Sequence, residues 1–166
     1  MEIDKLFGLP AHPLLVHAPL VFTPVLLLCV VLLVLKPGLR ERWGLPLVGF
    51  AIVLAGLCIL AAGSGEKLER RVVETALVEE HTELGEQLRN IAIALAALTA
   101  AWIGALRYGA GRAWLQRLAT PLAALVLLGA VTATVWDVRT GHAGAKAVWK
   151  EVGDQPAPVG GEGDGD

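Results

Sequence analysis

Four histidines are the residues of this chain best suited to chemistry. His12 and His17 stand in "HPLLVHAPLVFTP", His81 in "VEEHTELG" and His142 in "TGHAGAKAVW". Imidazole titrates near neutrality and is a common metal ligand, so a set of four invites a cofactor reading. No CxxCH occurs, so covalent haem attachment is excluded, and no HExxH, Ser-nucleophile elbow or phosphate-binding Gly loop points to a hydrolase or nucleotide enzyme. The remaining chemistry is a non-covalent haem b ligated by imidazoles between helices, or a Zn or Cu site. A third possibility is a cofactor-free structural subunit of a membrane complex, with no more than packing roles for the rings.

Each ring has a distinct setting. Pro13 suits a first helical turn, where the missing N–H costs nothing, so His12 should precede the helix and His17 lie within its first turns. A five-residue step turns about 140° on a helix, so these two would not clamp one ion from one face. His81 falls on the stripe Val73, Leu77, His81, Leu84, Leu88 of an amphipathic helix. Its bland alternative is a core histidine whose N–H finds a backbone carbonyl. Gly141 and Gly144 flank His142, which suggests a turn that could set the ring against a flat group, or a plain surface turn. Asp137 could orient an imidazole by accepting its second N–H, while Arg139, Lys146 and Lys150 could neutralise a cofactor's anionic groups. His17 and His142 are the preferred axial ligands on this reading. His12 and His81 would form a second pair or supply supporting hydrogen bonds.

The elements that must position these rings span a membrane. The 166 residues are 55% hydrophobic and 18% charged, with net charge −2, and their mean hydropathy is +0.60. Four continuous apolar runs, 14–35, 45–63, 91–106 and 118–136, lack strand alternation and approach the roughly 20 residues a spanning helix needs. The expected fold is an all-α four-helix membrane bundle over residues 1–153, followed by a disordered acidic tail over 154–166, "DQPAPVGGEGDGD". "MEIDK" carries no basic signal-peptide start, so the first helix should stay in the protein.

Orientation follows from Lys and Arg. "KPGLRERWG" and "RYGAGRAWLQR" are densely basic short connectors, whereas the connector 64–89 carries seven glutamates against four basic residues. The positive-inside rule then places both termini and all four histidines outside a bacterial cytoplasmic membrane. Trp43, Tyr108 and Trp114 would belt the inner interface, Trp136 and Trp149 the outer one. Gly49, Gly56 and Gly63 recur every seven residues, and Gly104 lies in an alanine-rich run, which suggests close helix approach. Cys29 and Cys58 fall at different depths, too far apart for a disulfide.

The opening "HPLLVHAP", the central His followed by "ELG" and the closing "TGHAGAKAVW" resemble the membrane family called domain of unknown function 2231. The resemblance covers about residues 8 to 150, with Ala18 where relatives often carry an aromatic and Trp149 where they often carry Tyr. It implies a four-helix fold. The family's domain is similar to ones fused to Rieske or cytochrome c modules, which implies membrane redox work with a redox protein or quinone as partner, in an electron-transfer or accessory subunit.

Overall fold

The computed structural model describes residues 5–6 and 8–153; the acidic tail expected after Gly153 lies outside the described residues. A two-stranded antiparallel ribbon comes first among the described residues, with β1 (Lys5–Leu6) and β2 (Leu9–Pro10) paired in the register Leu6 with Leu9. Gly8, at φ 83°, supplies the left-handed backbone of its turn. Five α-helices follow: α1 (His12–Leu15), α2 (His17–Leu35), α3 (Arg40–Glu69), α4 (Ala76–Tyr108) and α5 (Ala113–Gly153).

The first apolar run is divided because Pro19 has no N–H to offer the carbonyl of Leu15, four residues back. Helix α1 therefore ends at Leu15 and α2 restarts at His17. His12 accordingly sits on a short turn of its own, as the first residue of α1 rather than before a helix. A second proline, Pro24, lies within α2, one residue after Thr23, whose buried hydroxyl donates to the Pro19 carbonyl at 2.8 Å.

Counting α1 with α2, four helices are long and apolar enough to cross a membrane. The all-α four-span architecture read from the sequence is the one found. Their shared core is apolar from Leu26 and Val30 on α2, through Leu54 on α3 and Leu95 and Trp102 on α4, to Val126 on α5. At the basic end, Arg40 donates from Nε to Leu33 O and from Nη2 to Val34 O, both at 2.7 Å. These bonds occupy carbonyls that the end of α2 would otherwise leave unpaired. Trp43, Tyr108 and Trp114 are exposed around this end.

Three expectations change. The long connector is short: α3 continues to Glu69 and α4 begins at Ala76, capped by Thr75 Oγ1 accepting from Val78 N at 3.3 Å. From Leu77 onward the amphipathic stripe through His81 is thus the first turns of α4, extended beyond the apolar span, whereas Val73 falls in the link and is exposed. Likewise α5 runs unbroken through Gly141 and Gly144, so no turn surrounds His142. The glycine row is also misassigned, since a Cβ at Gly49, Gly56, Gly63 or Gly104 would meet nothing within 4 Å. Close approach falls instead at Gly44 against Ile103 and Gly129 against Leu95. Both cysteines are free, Cys58 buried and Cys29 partly so.

Candidate histidine site

Two of the four rings meet. His12 and His81 approach at the end of the bundle away from the basic connectors, with Nε2 atoms 3.5 Å apart, ring centroids 5.8 Å apart and planes inclined by 75°. Each ring is anchored from behind by a helix other than its own. His12 Nδ1–H donates to Ala61 O of α3 at 3.0 Å, and His81 Nδ1–H donates to Thr140 O of α5 at 2.9 Å. Ser64 Oγ lies 3.4 Å from His12 Nδ1 and gives its own proton to Ala61 O at 2.8 Å.

A carbonyl only accepts, so each Nδ1 must carry a proton, and in the neutral ring Nε2 is then the lone-pair atom. The two lone pairs face each other. Such a pair calls for something electron-poor between them: a metal centre, or a proton that converts one ring to imidazolium. The carbonyl-bonded Nδ1 is the arrangement that fixes the tautomer of metal-binding histidines.

A repeated device lets the rings reach these carbonyls. A Cβ added at Gly65 would stand 3.0 Å from His12 Cε1, and one at Gly144 would stand 2.9 Å from His81 Cε1. Gly65 follows Ala61 by four residues and Gly144 follows Thr140 by four. In a helix, residue i+4 lies directly over the carbonyl of residue i. Glycine there clears the path to that carbonyl's second lone pair. The sequence reading named Gly144 but tied it to His142, and it missed Ala61, Ser64, Gly65 and Thr140 altogether.

The rings border a half-open cavity of about 1000 Å³ lined by residues of α1 to α5. His17 lines it with an exposed ring, whose Nδ1–H is turned back to Pro13 O at 2.6 Å. His142 is exposed and outside the lining. It lies two residues from both Thr140 and Gly144, a rotation of about 200° from each, and therefore faces away. The preferred pairing of His17 with His142 is not the one the fold brings together. Arg139 is exposed and lies over Trp136 at 5.0 Å, Lys146 is exposed, and Lys150 is the cation that lines the cavity. Trp136 donates its indole N–H to Gln87 Oε1 of α4 at 2.7 Å, so it ties helices together within the bundle. Asp137 lines the cavity as well, but Thr140 O, rather than this carboxylate, holds His81. Among the described residues no group of three or more His, Cys, Asp or Glu is placed to hold a metal ion.

Comparison with known proteins adds the family. The model of a family described as predicted membrane protein (DUF2231) matches residues 8–155, nearly the whole chain, which therefore belongs to it. No curated protein and no solved structure matches.

Proposed function

We propose that this member of the DUF2231 family is a b-type cytochrome-like electron-transfer subunit that holds haem between His12 and His81. The observation carrying this reading is the pair of opposed Nε2 atoms 3.5 Å apart, each backed by an Nδ1–H bonded to a carbonyl. A metal with an imidazole on either side needs about 4 Å between the two nitrogens, from bonds of about 2.0–2.1 Å each. The rings need to open by only about half an ångström.

Two opposed imidazoles would suit a haem iron, whose porphyrin would supply the remaining donors. They are too few for zinc, which takes four ligands in closed sites, and no third imidazole converges on them. The cavity beside the rings, at about 1000 Å³, is of the size that holds organic cofactors. Val16, Leu20 and Val78 give it apolar walls, and Lys150 offers a cation for an anionic edge. Bound haem would supply one-electron chemistry. The chain's own part is to fix both tautomers, to keep the ring planes apart and to wall the site on several sides.

The Lys/Arg distribution supports placing this end, with both termini, outside the cytoplasm. A redox protein or quinone partner would then meet the protein there. Purified protein expressed with haem available should show a low-spin Soret band, and His12→Ala and His81→Ala should each abolish the low-spin form. Protein purified from haem-supplied cells with no Soret band overturns the reading.

A further inference from the structure

The cavity has a floor one helical turn below the carbonyls that hold the rings. Asp137 precedes Thr140 by three residues on α5, and Cys58 precedes Ala61 by three on α3; both line the cavity. Asp137 is 5% exposed. Among the described residues neither a hydrogen bond nor an ion pair reaches its carboxyl. The nearest cation in sequence, Arg139, is occupied over Trp136 on an exposed face, and Lys150 lies more than three turns further along α5. Leaving an ionised carboxylate enclosed and unpaired costs far more than enclosing the neutral acid.

We propose that Asp137 is a proton-binding site at the floor of this cavity: its carboxylate takes a proton from cavity water and returns it the same way. In the step, an O–H bond forms on the carboxyl as one breaks in hydronium, leaving a water molecule. The other titratable groups facing the same cavity are His12 and His17 from α1 and α2, Cys58, Glu66 and Glu69 from α3, His81 and Glu86 from α4, and Lys150 from α5. Glu66 is paired with Arg89 at 3.6 Å. Asp137 is set apart from the other carboxyls by its burial and by its place beneath the rings. Resting on the haem reading, a proton held here would balance an electron arriving at the histidine pair one turn above.

The test is infrared spectroscopy of the purified full chain titrated from neutral to mildly acidic pH. Wild-type protein should gain on acidification the C=O stretch of a protonated carboxyl that shifts down in D2O, and Asp137→Asn should lack that part of the gain. Identical wild-type and D137N spectra in this region overturn the proposal. A second measurement needs no variant. An apolar carbodiimide, which reacts with protonated carboxyls, should modify the peptide containing Asp137, read by mass spectrometry; an unmodified Asp137 overturns the proposal. Neither readout requires haem. Failure of the Soret test therefore leaves them decisive, and their failure leaves haem binding standing.

Discussion

Gly144 and His81 are in such close register that a Cβ on the glycine would lie 2.9 Å from the ring's Cε1 and 3.0 Å from Nδ1. The ring cannot keep its bond to Thr140 O and accept that methyl group. Gly144→Ala should weaken haem retention roughly 10–100-fold, the cost typical of disturbing the groups that orient a ligand. Gly141→Ala is the control, because its Cβ would make only ordinary contact with Leu20 at 3.7 Å. Haem titration of the two variants checks this, and equal affinities would discount the glycine's role.

The four histidines should separate into two classes. His12→Ala and His81→Ala should abolish a low-spin spectrum while the protein still inserts. His142→Ala, on the opposite face of α5, should leave it unchanged, and His17→Ala should have a smaller effect, its ring being turned to Pro13. Absorbance of the four purified variants decides the matter. Loss of haem in His142→Ala alone would reverse the assignment.

Topology can be read in whole cells with an impermeant thiol reagent. A probe at Gly65 would strike the His12 ring, so the 82%-exposed Val73, between α3 and α4, is the better site. In a background with Cys29 and Cys58 replaced, Val73→Cys should label from outside, and Arg42→Cys and Arg112→Cys should label only after permeabilisation. The opposite pattern would turn the histidine end toward the cytoplasm.

Gln87 and Trp136 provide a stability test away from the rings. Gln87→Leu strands the half-buried indole N–H and should lower stability by about 1–2 kcal/mol, with Gln87→Glu, which retains an acceptor, close to wild type. Thermal unfolding in detergent measures the difference. No loss in Gln87→Leu would mean that solvent satisfies the indole instead.

The spans were legible because each is a continuous apolar run, and burial of such runs in lipid leaves helix as the open-chain solution. The ends were less so. Helices α3, α4 and α5 extend past their apolar runs through polar turns that only neighbouring helices stabilise, which hid the short 70–75 link and the helical state of Gly141. At the site, residue type identified the histidines, and the core alternative for His81, an N–H given to a carbonyl, is the bond it makes. The pairing was not legible, because His12 and His81 are brought together by helix packing across 69 positions of sequence. The groups that hold the rings are main-chain carbonyls, which every residue carries and no sequence distinguishes.

Those separations also order the protein's biogenesis. His12 leaves the ribosome with the first span, yet its carbonyl anchor lies 49 residues later and its partner ring 69 residues later. The partner ring in turn depends on Thr140, a further 59 residues on. An insertion intermediate holding only the first two spans has one half of the pair, and one holding three has both rings with one still unanchored. Completion of the site therefore coincides with arrival of the last helix, so a nascent chain arrested before α5 would present neither an anchored histidine pair nor a fully walled cavity.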